Sequence, residues 1–330
     1  MQSEETLRLA YLPIRKELTS VETELEGCRP DGFGVVTESI EYVLGSEGKR
    51  IRPALVILAA RACGLNGSGG AVQMAAAAEL FHTATLVTDD ILDGAHTRRG
   101  KATINTRWGT EAAVLSAQYL YLSALTLSSR IIMNGTTADF SRLMLETAGD
   151  MLSGEAKELG KGRSNRPPTE QQYLDVIKAK TASLFSACSR AGAMLADADT
   201  RLQDTMLAFG ENLGIAFQIT DDVLDLTADE DLLGKPVGSD ARTGRMTLPF
   251  IHFLRTSGGR GKKNLLPNLG GGENVAGLRF VLERSGSIEY SLRRAGQYAA
   301  RAENALSVLS ESAYKESLKG LSRYAVERDR

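Results

Sequence analysis

The amino-acid sequence predicts an all-α protein built from many long helices. Three long segments, 71–93, 110–132 and 205–226, are rich in Ala and Leu and repeat apolar residues at helical spacing. The alternation of β-branched residues that marks strands is scarce. None of the loops resembles a linker between domains, so we expect a single domain that spans residues 1–330. The main loops are glycine-rich and lie at 64–70, 160–168, 234–244 and 257–272.

The composition is that of an ordinary folded protein. Of its 330 residues, 42% are hydrophobic and 24% are charged, which is enough for a sizeable core. The 39 Lys and Arg residues nearly balance the 41 Asp and Glu residues, which excludes nucleic-acid binding through bulk positive charge. Three widely spaced cysteines exclude a disulfide scaffold and indicate a reducing compartment. No secretory signal or membrane span is evident, so we expect a cytoplasmic protein.

Local signals predict where one further helix begins. Pro167 and Pro168 precede Thr169, and Gln172 follows three residues later, which is the capping-box pattern of a helix N-terminus. We expect one continuous helix through residues 169–185. The basic stretch at 258–272 has no aromatic residues, so we interpret it as a solvated loop and not as a nucleic-acid surface.

The pattern Asp-Asp-x-x-Asp occurs twice. It ends one long helix and recurs near the end of another, with carboxylates at Asp89, Asp90, Asp93, Asp221, Asp222 and Asp225. Residues four apart share a helix face, where like charges repel by about 0.2–0.5 kcal/mol per pair. Hard divalent cations would reverse the sign of this interaction, and carboxylates that leave coordination positions open to phosphate oxygens suit Mg²⁺. One such cluster is usually a solvated helix end, but two copies after apolar helices predict a metal site.

The surface below each acidic pattern is mostly apolar. Stepping back by fours leads from Asp93 to Phe81, and from Asp225 to Phe217 and Phe209. Core packing explains the apolar residues alone, but facing helices of this kind would also bind a molecule with a metal-chelated anionic head and an apolar tail. Each nearby cation is by itself more often a surface charge, yet together they could hold diphosphates. They are Lys49, Arg50, Arg52, Arg98, Arg99, Lys180, Lys235 and Arg245.

These motifs are similar, in order and spacing, to those of the all-trans isoprenyl diphosphate synthases, or polyprenyl synthetases. The resemblance covers nearly the whole chain and implies a helical bundle around a deep central cavity, isoprenoid biosynthesis as the pathway class, and a homodimer. The motifs are GKRIRPAL (48–55), FHTATLVTDDILDGAHTRRG (81–100), SGE (153–155), KTASLF (180–185), FQITDDVLD (217–225), LGKPVGSD (233–240) and GRMTLP (244–249).

The resemblance implies a prenyltransferase that joins isopentenyl diphosphate to an allylic diphosphate (dimethylallyl, geranyl, farnesyl or geranylgeranyl). The six aspartates would hold three Mg²⁺ ions on the allylic diphosphate. The cations expected to contact that diphosphate are Arg98, Lys180, Lys235 and Arg245. Those expected to bind isopentenyl diphosphate are Lys49, Arg52, His82 and Arg99. The expected catalytic residues are Lys180 together with Thr181 and Gln218, the last two of which would face the developing allylic cation.

The chain departs from the family pattern at four positions. Glu47 stands where Gly is usual, Thr88 where His is frequent, and Gln118 where a Gly-Asp pair is frequent. None of these changes removes a metal ligand. Arg245 replaces a usual Lys and keeps its charge, but its planar guanidinium differs in geometry from the point-like ammonium of Lys.

Small residues precede the first acidic pattern. Ala84 and Thr85 lie about 6–7.5 Å below Asp89 along a helix, where a growing chain would pass. In the family, bulky aromatic residues at this depth stop the product at C15, so we predict a product of C20 or longer. Deeper aromatic residues could form a floor, although core packing explains each equally well. They are Phe81, Tyr119 and Tyr121.

Two other functions fit part of the pattern. A class I terpene cyclase would also carry an Asp-rich motif and bind Mg²⁺, but its second motif would be of the Asn/Ser/Glu type and it would need no second basic pocket. A non-catalytic partner subunit of a prenyl synthase typically lacks residues of the Asp motifs. This chain retains both motifs. The sequence therefore favours the synthase over both alternatives.

Overall fold

The computed structural model describes residues 2–46, 48–67, 70–131, 138–161, 167–228, 238–258 and 275–328. Within these ranges the chain is almost entirely helical, which confirms the predicted all-α class. The helices are α1 (Gln2–Tyr11), α2 (Arg15–Gly27), α3 (Val35–Leu44), α4 (Ile51–Ala62), α5 (Ala71–Leu92), α6 (Ile104–Trp108), α7 (Thr110–Ser129), α8 (Ala138–Lys161), α9 (Glu170–Ile177), α10 (Ser183–Leu195), α11 (Thr200–Thr227), α12 (Ser239–Arg242), α13 (Leu248–Thr256), α14 (Val275–Arg284), α15 (Ser287–Ala305) and α16 (Ala313–Glu327).

The centre of the bundle is formed by α4, α5, α7, α10 and α11. α5 packs against α4 and α7, and α10 packs against α4 and α11. α4 is apolar on nearly every side, as expected of a helix surrounded by others, and its residues from Pro53 to Ala60 are all buried. The two helices that carry the acidic patterns, α5 and α11, therefore belong to this central group, where α4 and α10 connect them.

The helix expected at 169–185 is not continuous. Its start is as predicted, because Oγ1 of Thr169 accepts a hydrogen bond from the backbone N–H of Gln172 at 3.2 Å. However, the segment Lys178–Ala182 is π-helical and separates α9 from α10. Gly154 on α8 lies on one side of it, and Gly214 on α11 lies on the other. A Cβ on these glycines would be 2.8 Å from the backbone N of residue 180 and 2.6 Å from Cα of residue 182. The wider turn is thus held between two close backbone contacts.

A short hairpin follows the first acidic pattern. Its strands, β1 (Thr97–Arg98) and β2 (Lys101–Ala102), are antiparallel. The two turn residues, Arg99 and Gly100, have φ of 51° and 72°, as a type I′ turn requires. The sequence did not predict this hairpin, because two-residue strands leave no periodicity to detect.

Several predicted boundaries are corrected. The stretch 234–244, expected to be a loop, contains α12. The helix predicted to end at residue 93 ends at Leu92, and the one predicted to end at residue 132 ends at Ser129. Glu47, Lys235 and most of the basic stretch at 258–272 lie outside the described residues. No helix in the described part of the chain combines the length and apolar character needed to cross a bilayer.

Candidate active site

The first acidic pattern lies at the C-terminal end of α5, and its carboxylates face basic side chains. Asp90 is buried, and its Oδ1 accepts a hydrogen bond from Nε of Arg98 at 2.8 Å. Asp93 pairs with Arg245, which follows α12. The repulsion expected among these carboxylates is thus offset by cations from other segments of the chain.

Lys180 is surrounded by three carboxylates. Its Nζ lies 3.9 Å from Oδ1 of Asp89, 2.6 Å from Oε2 of Glu155 and 2.8 Å from Oε2 of Glu158. Burial raises the pKa of Asp89 to about 6; Lys180 opposes this rise and Glu155 adds to it. Burial acts to lower the pKa of Lys180, but the charges of Asp89 and Glu158 outweigh it, and the pKa is raised. Lys180 therefore stays charged at the centre of this group.

The second acidic pattern is fixed by hydrogen bonds. The Oη of Tyr173 donates to Oδ2 of Asp222 at 2.7 Å, and Nε2 of Gln218 donates to Oδ1 at 2.8 Å. The Oε1 of Gln218 in turn accepts from Oγ1 of Thr181 at 2.7 Å. Burial raises the pKa of Asp222 well above its usual range, and the charge of Asp240 adds to this. Thr181 and Gln218, which were expected to act together, are in contact.

The other two carboxylates of this pattern have different partners. Oδ1 of Asp221 lies 2.7 Å from Nη1 of Arg328, near the C-terminus. The guanidinium of Arg328 also stacks 3.6 Å from the ring centroid of Phe217 and donates to its backbone O at 2.6 Å. Oδ2 of Asp225 accepts a hydrogen bond from the backbone N–H of Asp240 at 3.0 Å. Asp225 therefore supports the segment that begins α12.

Both acidic patterns line one cleft. Lys180 contacts the first pattern, and the next residue, Thr181, reaches the second through its hydrogen bond to Gln218. Arg245 makes a similar connection. It pairs with Asp93 of the first pattern, and its Nη1 lies 3.8 Å from Oδ1 of Asp240, whose backbone N–H donates to Asp225 of the second pattern. We call the region between the six aspartates and Glu155 and Glu158 of α8 the acidic cleft.

A group of basic side chains lies beside the acidic cleft. Burial lowers the pKa of His82 well below its usual range, and the charges of Arg52 and Arg99 lower it further, so this imidazole is neutral. Nε of Arg52 is buried and has no hydrogen-bond partner among the described residues. Burial lowers the pKa of Arg52, and the charges of Glu79 and, to a smaller extent, Asp221 oppose this. We call Arg52, His82 and Arg99, together with Lys49 from the expected set, the basic pocket; Nζ of Lys49 lies 5.6 Å from the ring centroid of Tyr324 on α16.

The acidic cleft suits Mg²⁺ better than a metal that needs a complete protein cage. Within the described ranges, no three His, Cys, Asp or Glu side chains converge closely enough to hold a metal ion. Mg²⁺ commonly takes one or two carboxylates and fills its remaining positions with water and substrate phosphate oxygens. Hard carboxylate oxygens on two sides of a cleft fit that requirement, and the donor set contains no thiolate.

Sequence reasoning missed four residues of the cleft. Glu155 falls in the SGE motif, and its spacing from Glu158 on one face of α8 was a usable signal. Tyr173 and Arg328 gave no signal, because they reach the aspartates only through tertiary packing. Conversely, Lys235, which was expected to contact the diphosphate, lies outside the described residues.

The residues considered for chain length lie at two different places. The rings of Phe81 and Tyr121 meet edge to face, with centroids 5.0 Å apart, and Ala84 nearby on α5 is fully buried. Tyr119 instead packs against Phe33, and its Oη donates to the backbone O of residue 28 at 3.2 Å. Among these three aromatic residues, Phe81 and Tyr121 thus contact each other between α5 and α7, whereas Tyr119 faces another part of the chain.

The chain resembles characterised proteins over almost its full length. Residues 34–283 match the family model for polyprenyl synthetase. An octaprenyl diphosphate synthase of Escherichia coli (strain K12) is 36% identical over 293 residues, 88% of each chain. The structure of a geranylgeranyl pyrophosphate synthetase from Pyrococcus horikoshii Ot3 matches with a TM-score of 0.90 and 31% identity, over 99% of this chain and 100% of that one. A polyprenyl synthase from Caulobacter crescentus CB15, complexed with calcium and isoprenyl diphosphate, gives 0.91 and 29%, over 98% of both.

The family model covers most of the chain, and the relatives agree with the motifs and with the fold. The differing names of these relatives leave the product length open. Their shared chemistry is the transfer of a prenyl group. This chain is a prenyltransferase that belongs to the polyprenyl synthetase family.

Proposed function

We propose that this protein is an all-trans polyprenyl diphosphate synthase that uses Mg²⁺ to condense isopentenyl diphosphate with an allylic diphosphate, and that its product is C20 or longer. The main support is the basic pocket beside the acidic cleft, because one substrate needs metal-binding carboxylates and the other needs a separate anion site. We treat residues 1–330 as one catalytic domain. Its three cysteines are free thiols, which agrees with our placement of the enzyme in the cytoplasm.

The acidic cleft would take the allylic diphosphate. Its aspartates would hold three Mg²⁺ ions, which supply Lewis-acid stabilisation of the charge on the departing diphosphate. The basic side chains now paired with these aspartates would turn to the diphosphate oxygens and donate charge-assisted hydrogen bonds. These side chains are Arg98, Lys180 and Arg245, with Lys235 added on the basis of the family resemblance alone.

Thr181 and Gln218 would face the carbon that becomes an allylic cation. The amide of Gln218 has a fixed orientation, since its Nε2 donates to Asp222 and its Oε1 accepts from Thr181. Oγ1 of Thr181 and Oε1 of Gln218 carry partial negative charge, which stabilises a nearby cation in a site of low dielectric. Apolar walls below the cleft would keep water from the cation.

The basic pocket would hold isopentenyl diphosphate beside that carbon. Arg52, Arg99 and Lys49 would neutralise its diphosphate, while neutral His82 would donate a hydrogen bond without adding charge. The terminal double bond would then form the new carbon–carbon bond by attack on the allylic cation. Loss of a proton, which we assign to the released diphosphate, restores a double bond and completes the extension.

The direct test is an assay of the purified chain with Mg²⁺, radiolabelled isopentenyl diphosphate and C10, C15 or C20 allylic primers. We expect labelled diphosphates of increasing length that need both substrates and the metal. Release of a hydrocarbon would favour the terpene cyclase. Lack of any extension would contradict the synthase, and extension only after a second subunit is added would favour the partner-subunit alternative.

Product length gives a second test. Ala84→Phe should shorten the product, because a ring at this depth would block the space between α5 and α7, and Tyr121→Ala should lengthen it by removing the floor formed with Phe81. Tyr119→Ala is the matched control, since Tyr119 lies on α7 but contacts a different part of the chain. Products are sized by chromatography. Unchanged lengths in the first two variants would show that this wall does not line the path of the chain.

We also propose a homodimer, formed through the outer face of α7 and α8. On each of these two helices, leucines seven residues apart are exposed, with Leu152 at 72%. The others are Leu115, Leu122, Leu145 and Leu159. We expect Leu152→Glu to shift the protein from dimer to monomer in sedimentation velocity. The control, Leu292→Glu on α15 (41% exposed), should leave the mass unchanged, and an unchanged mass in both variants would contradict this interface.

A further inference from the structure

A chain of ion pairs lies directly behind the basic pocket. Nε and Nη2 of Arg50 bind the two carboxylate oxygens of Glu22 on α2, at 2.6 and 3.0 Å. Nη1 of Arg50 donates to Oε1 of Glu79 on α5 at 3.0 Å. The side chains of Arg50 and Glu79 are only 18% and 7% exposed. Arg50 immediately precedes α4, so these bonds tie α2, α4 and α5 together at one point.

The backbone at this point is strained. Arg50 has φ of 50° and ψ of 35°, a left-handed conformation that is uncommon for arginine and persists when surrounding contacts hold it. Gly48 lies directly over the guanidinium, since a Cβ there would be 2.7 Å from Nη1 of Arg50 and 3.3 Å from Nη1 of Arg99. The same few residues of backbone carry Lys49 and Arg52. A change in the Arg50 contacts would therefore move both of these side chains.

Glu79 is also the main counter-charge of the pocket. Burial lowers the pKa of Arg52 and that of Arg99, and in each case the charge of Glu79 is the largest opposing influence. Glu79 lies on α5 three residues before His82, so the two side chains share a face. Without this carboxylate, Arg50, Arg52 and Arg99 would repel one another in a desolvated space.

We propose that Arg50 and Glu79, supported by Glu22, are positioning residues of the basic pocket. They hold its cations at the spacing that a second diphosphate needs before that substrate arrives. They act through Lys49, Arg52 and Arg99 and do not themselves contact substrate. This inference rests on the proposed function, because it concerns the site assigned to isopentenyl diphosphate.

The test compares Arg50→Met with Arg61→Met. Arg61 lies at the other end of α4 and also bonds α4 to α2, with Nη2 2.7 Å from Oε1 of Glu17 and a similar exposure of 17%. In Arg50→Met we expect KM for isopentenyl diphosphate to rise about tenfold or more. This is the effect expected when a displaced cation of the basic pocket loses one charge-assisted hydrogen bond to the diphosphate. KM for the allylic primer should stay within about twofold, because the acidic cleft is untouched. Arg61→Met should change neither constant.

A second variant covers the case in which Arg50→Met does not fold. Glu22 is half exposed and acts only through Arg50, so Glu22→Gln should fold and should raise the same KM by a smaller factor. In the double variant, the two effects should not add. Equal changes in both substrates, equal behaviour of the Arg50 and Arg61 variants, or additive effects would overturn the positioning role. A wild-type protein that extends no primer would instead refute the proposed function.

Discussion

Replacing Asp89 by Asn should lower kcat by about 10³-fold if Asp89 binds Mg²⁺ as proposed, since such a carboxylate contributes at least as much as a single oxyanion-stabilising donor. The remaining activity should need a higher Mg²⁺ concentration. Asp221→Asn should behave in the same way from the opposite side of the cleft. Steady-state rates measured over a Mg²⁺ titration, with EDTA as the zero point, give both quantities.

The same variants should separate function from stability. Burial raises the pKa of Asp89 from its usual 3.8 to about 6, so at pH above about 6 the ionised carboxylate destabilises the metal-free fold. At pH 8 we therefore expect the Tm of Asp89→Asn in EDTA to equal or exceed that of the wild type. Asp204→Asn, an exposed position on α11, is the control and should keep both rate and Tm. A large fall in Tm for Asp89→Asn would mean that the aspartate is structural.

Gly154→Ala should lower kcat by about 10²-fold, because a displacement near 1 Å at a catalytic group is enough for such a loss. The new Cβ would lie 2.8 Å from the backbone N of Lys180 and 3.1 Å from Cβ of Ala179. The neighbouring atoms are mostly backbone, so the π-helical segment itself must shift and take Lys180 and Thr181 with it. Gly214→Ala should have a similar effect, because its Cβ would be 2.6 Å from Cα of Ala182.

Gly149→Ala is the matched control for this experiment. Gly149 lies on the same helix, and a Cβ there meets nothing within 4 Å. It should keep full activity and raise the free energy of unfolding by about 0.5–1 kcal/mol, the usual gain from Gly to Ala inside a helix. Steady-state kinetics and thermal unfolding measure the two effects. Full activity in Gly154→Ala would show that the segment can move without consequence for catalysis.

The sequence predicts the acidic patterns and the helices that carry them, because both depend on local spacing. The all-α class follows from the same periodicity. The π-helical segment could not be predicted, since its cause is the approach of Gly154 and Gly214 from two other helices. The partner of Asp221 was equally inaccessible, because Arg328 lies 107 residues along the chain and meets it only in the folded bundle. The sequence thus predicts the chemistry of individual residues, but it does not predict which residues of distant segments form pairs.

If the cleft binds a metal ion and a diphosphate as proposed, the pairing of its acidic and basic side chains would make the binding of these two ligands thermodynamically dependent on each other. Each aspartate that turns to a metal ion frees a cation such as Arg98, Arg245 or Arg328, and each cation that turns to a phosphate frees a carboxylate. A ligand that binds alone must break ion pairs, but it then contacts only the carboxylate or only the cation of each broken pair. Metal and diphosphate should therefore strengthen each other's binding by the same factor, and neither should bind tightly alone.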